Sequence, residues 1–415
     1  MAKVLISFLG TGRFEPRGNI RSYNKVRYNL NNSDLGEYSF LSAALKDYHR
    51  IDNMLLIGTV HSMWEEVYMH FSKEKLDENV YEDIARNCEK ANNNSPLVIP
   101  HKEIIEQTLG KGSKVVLIKY GITESEIMQN INIILGLQNF LNDNDELIID
   151  ITHSFRSLPI FMMNLLIYLQ NVSPKHITIS HIYYGMLEIA RELHYAPVVD
   201  LKAIMKVQNW ITGAYAFSTF GNTYKISELL QEENKSVAPI LRDFSDAMNL
   251  NYLYSMRAET QKLAGIKNKD YTTDLPKQII SPIVNKFVET FTINNATHQQ
   301  SLYQLKLSKW QFEHKKYAQA YMTSNDALIT YVCELNGLEW DNYDDRESAK
   351  TSLRRKNEAI FDVTDEMYNW FKSHNVRRNG IAHTTKVHIH GKEMKSKEMI
   401  NFLEKDLKEL TNIIK

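Results

Sequence analysis

Apolar residues fall into two rhythms along this 415-residue chain. In the first half, short apolar runs at Val4–Leu9, Met54–Ile57, Lys114–Lys119, Glu146–Thr152 and Ile177–Tyr184 are each bounded by Gly, Asn, Asp or Lys. They predict five strands. Between the third and fourth, Thr123 and Glu126 have capping-box spacing ahead of a stripe of Ile127, Ile131, Ile134, Leu135 and Leu141, which predicts a helix. Ser157 stands where it can cap the helix after the fourth strand, with Pro159 in its first turn. Strands alternating with helices predict a mostly parallel sheet covered on both faces, an α/β domain of Rossmann-like type.

Near Pro197–Asp200 the rhythm changes. From Leu201 onward helical stripes dominate, as in Leu302–Trp310, Tyr317–Leu335 and Met399–Ile414, with a short hairpin around His388–Gly391 and a polar loop at Gly265–Asp274. The length is more than one core usually holds. The expected division is therefore an α/β domain over residues 1–200 and an all-α domain over residues 201–415.

Charge and composition narrow the function. A formal net charge of -1 excludes a global basic field, so any nucleic-acid site must be local. Cys88 and Cys333 are too few for a disulfide framework or a thiolate-rich zinc site. The opening apolar run is cut by Gly10 and Gly12, which suits a buried strand better than a signal peptide. With no apolar run of membrane-spanning length, a cytoplasmic protein is expected.

Ligands of doubly wound sheets bind beyond the carboxyl ends of the strands. Three polar clusters sit there: Gly10-Thr11-Gly12, Gly58-Thr59-Val60-His61-Ser62 and Asp150-Ile151-Thr152-His153-Ser154-Phe155-Arg156-Ser157. Glycines let a backbone approach a ligand, and hydroxyls and free N–H groups suit phosphate or ribose. Each cluster alone reads as a strand-to-helix turn; three on one rim suggest a nucleotide site. The dinucleotide fingerprint lacks its third glycine, and no phosphate-loop lysine motif occurs. Asp150 and His153 have no further ligand cluster nearby in sequence, so no metal is expected. Arg13, Arg17, Arg21, Lys25 and Arg27 form a basic segment, either a solvated hairpin or a strap over the rim.

The helical half carries Arg377-Arg378-Asn379-Gly380-Ile381-Ala382-His383. Metal-free RNA cleavage needs a group to take the 2′-hydroxyl proton, one to protonate the leaving 5′-oxygen, and a cation on the phosphate. Histidine moves protons near neutrality, and arginine supplies a permanent forked charge. Arg378 and His383 would lie roughly 140° apart on a regular helix, a mismatch that a two-fold dimer resolves.

Taken together, Asp150-Ile151-Thr152-His153-Ser154 resembles the DxTHG signature of CRISPR-associated proteins with a Rossmann-type sensor (CARF) domain. Gly10-Thr11-Gly12, Gly58-Thr59 with Ser62 and Trp64, Tyr184-Gly185, and Pro197–Leu201 leading to Trp210 fit the same family in the same order. Arg378-Asn379 with His383 is similar to the R-x4–6-H motif of HEPN ribonucleases, and Trp310-Gln311 and Tyr317–Ala320 look like the start of that unit. The resemblance implies a homodimer, or a higher assembly of dimers, that binds a cyclic oligoadenylate, expected to be the tetra-adenylate. It would then cut single-stranded RNA without metal, leaving 2′,3′-cyclic phosphate ends. Carried over by position, ligand contacts come from Gly10, Thr11, Gly12, Thr59, Ser62, Thr152, His153, Ser154 and Arg156, and catalysis from Arg378, Asn379 and His383. Ser154 departs from the signature's Gly, Arg377 also satisfies the spacing to His383, and ring-nuclease activity of the sensor stays open. The alternative is a nucleotide-responsive regulator or RNA-binding dimer that does not cut.

Overall fold

A computed structural model describes residues 1–14, 21–153, 155–266, 269, 271, 273–293, 298–355, 360–389 and 391–414, with backbone alone at 13, 14, 21 and 22. The chain forms two compact units, Met1–Lys206 and Val207–Lys415.

The first unit contains β1 (Lys3–Leu9), β2 (Arg13–Phe14), β3 (Arg21–Ser22), β4 (Val26–Leu30), β5 (Ser33–Tyr38), β6 (Asn53–Gly58), β7 (Lys114–Leu117), β8 (Glu146–Asp150), β9 (Thr178–Gly185) and β10 (Ala196–Asp200). Eight of them make one sheet in the order β5-β4-β10-β9-β8-β1-β6-β7, while β2 and β3 pair separately. The five from β9 to β7 run parallel, and they are the five that the apolar runs predict. Successive side chains of a strand point to opposite faces. Val4, Ile6 and Phe8 enter one core layer with Ile134, Leu158 and Met162; Leu5 and Leu9 enter the other with Leu41, Trp64 and Ile105. The expected α/β unit followed by a helical unit is what the chain forms.

Details depart from expectation. Pro197–Asp200 belongs to β10, antiparallel to β9, instead of marking the end of the sheet; β4 then pairs parallel to β10, and β5 antiparallel to β4. Thr123 caps its helix by accepting from Glu126 N at 3.3 Å, but the Glu126 carboxylate accepts from Gly121 N and Ile122 N and closes no box on Thr123. That helix buries Asn130 and Ile134, continued by Leu137 and Leu141, so its inner stripe is rotated from the predicted one. Asn130 is accommodated by a bond in each direction with the Lys119 backbone. Ser157 takes the N-cap position of Leu158–Asn171 without a side-chain cap bond.

The second unit is helical apart from the ribbon of β11 (His388–Ile389) and β12 (Lys392–Glu393). Helix Ala203–Phe220 runs across the division between units. The predicted stripes lie on Gln299–Glu313, Tyr317–Leu335 and Ser396–Ile413. The predicted Gly265–Asp274 loop lies partly outside the described residues; the next helix starts at Asp274.

An ionic cluster sits inside this unit. Arg377 Nη2 donates to both Asp406 oxygens, at 2.8 and 2.6 Å, and His374 Nδ1 lies 2.7 Å from Asp406 Oδ2. The far side of the His374 ring meets Ser324 Oγ and Tyr321 O. Burial pushes the Asp406 pKa up, but the hydrogen bonds and charges of His374 and Arg377 outweigh it and hold it below the usual carboxylate range. Its stabilisation is therefore present above pH ~4 and is lost as pH falls through the depressed value. Asp406→Asn is expected to lower unfolding free energy by about 3–5 kcal/mol, by stranding the Arg377 charge. Arg377→Ala should cost as much and Arg378→Ala no more than about 1 kcal/mol. Urea unfolding of the three variants tests this, and equal losses for Arg377 and Arg378 would contradict it.

Candidate functional site

At the carboxyl ends of β1, β6 and β8 lies a cavity of about 380 Å³. Gly10, Thr11, Gly12, Thr59, Ser62, Thr152 and His153 line it. These are seven of the nine sequence-predicted ligand residues. Arg156 is exposed and outside the lining, and Ser154 lies outside the described residues.

Side chains fasten the strand-end loops to one another. Ser62 Oγ donates to Leu9 O at 2.8 Å and accepts from Thr59 N at 3.0 Å, tying the β6 loop to the end of β1. Met63 N donates to Gly10 O, and the Trp64 indole to Thr59 O. A Cβ on Gly58 would stand 2.8 Å from both Ser62 Oγ and Trp64 Cζ2, so the crossing demands glycine. Asp150, fully buried, accepts from Ser7 Oγ at 2.7 Å and from Thr152 N at 2.9 Å; Thr152 Oγ1 accepts from Gly185 N at 2.8 Å. Ser62 and Thr152 thus have their hydroxyls engaged within the fold, while Gly10, Thr11 and Gly12 offer an open edge.

His153 closes one wall. Its Nε2 lies 3.4 Å from the Tyr28 hydroxyl, and its ring centroid 5.3 Å from that of Tyr23. Burial lowers its pKa, only partly offset by the Asp150 charge, so the ring is neutral at pH 7 and presents one donor and one acceptor. Burial likewise raises the Tyr28 phenol pKa, with the Asp150 charge adding to it. Tyr23, Asn24, Tyr28, Ser39 and Arg191 also line the cavity, and sequence reasoning missed them. The only signal was the alternation Val26, Tyr28, Leu30, which marks β4. Of the basic segment, Arg17 and the side chains of Arg13 and Arg21 lie outside the description; Arg27 pairs with Asp34 at 2.7 Å, and Lys25 is exposed.

In the second unit, Arg378, Asn379 and His383 end the helix Asp365–Ala382. The two arginines part company: Arg377 is 3% exposed and bound to Asp406, whereas Arg378 is half-buried and donates to Asn379 Oδ1 at 3.0 Å. His383 is the C-cap, exposed and off the helical path, its N–H donating to Asn379 O. His383 thus keeps the last helical hydrogen bond while its own backbone leaves the helical conformation, at φ -107° and ψ 9°. After His383 the chain folds back so tightly that a Cβ on Gly380 would lie 2.1 Å from Val387 Cγ2. His388 is exposed in its ribbon and His390 lies outside the described residues. Among the described residues no three His, Cys, Asp or Glu side chains gather as a metal site, and no helix is long and apolar enough to cross a membrane.

Comparison with known proteins joins this geometry to a class. Residues 4–188 match the family described as "CRISPR system endoribonuclease Csx1, CARF domain", and residues 206–297 match "CRISPR-associated protein MJ1674, second domain". The first of these matches spans most of the first unit. The chain is 33% identical over 435 aligned residues to CRISPR-associated protein MJ1674 of Methanocaldococcus jannaschii, covering 100% of this chain and 66% of that protein. The chain therefore spans just under two thirds of the length of this curated relative. A solved structure, Enterococcus italicus Csm6 bound to cyclic hexa-2'-fluoro-hexa-dAMP, covers 100% of this chain and 94% of its own, at 11% identity and a TM-score of 0.36.

The turn behind His383 gives a direct test. Gly380→Ala should lower the melting temperature measurably, and adding Val387→Ala should restore most of the loss by vacating the contact. Calorimetry of the single and double variants decides; no recovery in the double variant would mean that the fold-back is not what requires glycine.

Proposed function

We propose that the chain is an endoribonuclease of type III CRISPR antiviral defence that cuts single-stranded RNA without metal, acts as a cytoplasmic homodimer, and is switched on by a cyclic oligoadenylate, the tetra-adenylate being the expected ring. The observation that carries the reading is the strand-end cavity of the CARF unit, lined by seven of the residues expected to bind such a ligand. Its glycine edge lets a sugar–phosphate backbone approach, and Arg191 on its wall supplies a cation for phosphate. A ring with two-fold symmetry reaches two such rims in an isologous dimer.

For the chemistry, each subunit brings an exposed imidazole and a half-buried guanidinium at one helix end, and two such ends supply base, acid and cation. His383 takes the 2′-hydroxyl proton as the 2′-oxygen attacks phosphorus; the P–O5′ bond breaks, giving a 2′,3′-cyclic phosphate and a 5′-hydroxyl. The His383 of the partner subunit protonates the leaving oxygen, Arg378 neutralises the phosphorane, and Asn379 orients Arg378. Arg377, committed to Asp406, acts through stability.

His383→Ala is expected to lower cleavage about 100- to 10,000-fold while leaving the melting temperature unchanged. The assay is labelled RNA with EDTA, with and without linear and cyclic oligoadenylates of several sizes. Cleavage that persists in this variant would remove the HEPN assignment. Ligand binding with no cleavage by the parent chain would favour the non-cutting regulator. Thr152→Ala and His153→Ala should raise the activator concentration needed for half-maximal cleavage, and calorimetry should show the matching loss of affinity. Unchanged binding in both would put the activator elsewhere.

A further inference from the structure

The second unit holds a pocket that the chemistry above leaves unused. Tyr254, Trp340, Gln304, Asp326, Asp341 and Arg346 surround about 190 Å³. Tyr254 is 59% exposed, its ring centroid 6.1 Å from that of Trp340, and Tyr252 continues the row at 5.9 Å. Gln304 in the same lining, on helix Gln299–Glu313, is 1% exposed, and its Oε1 has no hydrogen-bond partner among the described residues. A buried carbonyl oxygen left without a donor is costly, so a donor from outside is what this floor lacks.

Arg346 does not supply it. Its guanidinium donates to Asp326 Oδ1 at 2.8 Å, Thr330 Oγ1 at 3.1 Å and Trp340 O at 2.9 Å, so the pocket's own cation is matched by Asp326. Asp341 at the rim adds an exposed negative charge, with Asp344 and Asp345 following in the next helix. The pocket therefore presents two π faces, an empty buried acceptor and a surplus of carboxylate. Phosphate would meet repulsion there. A group that is all donors and carries positive charge fits each feature, because aromatic faces attract ammonium or guanidinium within ~6 Å and the gain rises when water is excluded.

We propose that this pocket binds the cationic end of an organic amine or guanidine, reaching it either as a free small molecule or as a lysine or arginine side chain of a partner chain. The site is independent of the nuclease reading. It is tested on the full chain by calorimetric titration with agmatine, putrescine and blocked arginine (N-acetyl-argininamide), with sodium chloride and adenosine monophosphate as controls. Saturable binding of the cationic probes is expected, weakened about threefold or more by each of Tyr254→Leu and Asp341→Asn, both exposed positions whose replacement leaves the core untouched. Binding of all three probes assigns the pocket to the end group alone, and binding of blocked arginine only assigns it to a side chain of a partner chain. Heats no different from sodium chloride, affinity retained in the double variant, or saturation by adenosine monophosphate in place of the amines would each overturn the proposal.

Discussion

A carboxylate taken out of water must be given donors by its surroundings, or the fold that buries it fails. At the end of β8 Asp150 is fully buried, and among the described residues its donors are the Ser7 hydroxyl on β1 and the Thr152 amide just past β8. Thr152, held by that bond, places its own hydroxyl against Gly185 N at the end of β9. Ser62 then ties β6 to β1 through Leu9 O. Four parallel strands thus end in loops whose positions are fixed by side-chain hydrogen bonds. The residues that a positional analogy assigns to ligand contact therefore do two jobs. Ser62 and Thr152 build the rim, and Gly10 to Gly12 and His153 face into it.

The second unit repeats the logic with different chemistry. Asp406 draws in Arg377 and His374, so one of two adjacent arginines is consumed by the core and the next is left to face outward. Sequence spacing admits both arginines equally. Burial separates them, because a guanidinium with two short bonds to a buried carboxylate cannot swing out to a phosphate without stranding that carboxylate. Gly380 completes the arrangement: only without a side chain there can Val387 pack against this turn of the helix.

Much of this was legible in the chain. β1, β6 and β8 are buried on both faces and so read as near-continuous apolar runs, while β7 and β9 keep enough apolar positions to be read as strands. The strands missed, β4, β5 and β10, have sequences VRYNL, SDLGEY and APVVD, which mix polar residues into partly exposed positions. Missing β4 hid Tyr28, and with it the short segment leading into β4 that brings Tyr23 and Asn24 to the cavity. Local clusters of glycine and hydroxyl residues mark the rim because every loop there follows its own strand. Arg191 reaches the same cavity from a short helix before β10, about 30 residues beyond the nearest rim motif, and only the tertiary fold reveals it. The glutamate of the apparent capping box illustrates a smaller limit: its spacing was right, but two amides of the preceding turn compete for the same carboxylate and take it.

A preformed rim also constrains how any ligand there could act at a distance. Affinity by itself moves no conformational equilibrium. Activation requires the ligand to hold one arrangement of the protein more tightly than another, and a 100-fold response needs a difference of about 2.7 kcal/mol. In the proposed complex, glycine-edged backbone and a neutral imidazole would supply contacts that depend on close fit, the kind of interaction able to discriminate between arrangements. The pKa of His153 bears on this directly. Burial pushes its pKa down, so what the ring would offer the proposed ligand is a directional hydrogen bond, which geometry can switch, instead of a charge, whose pull changes little over a small shift.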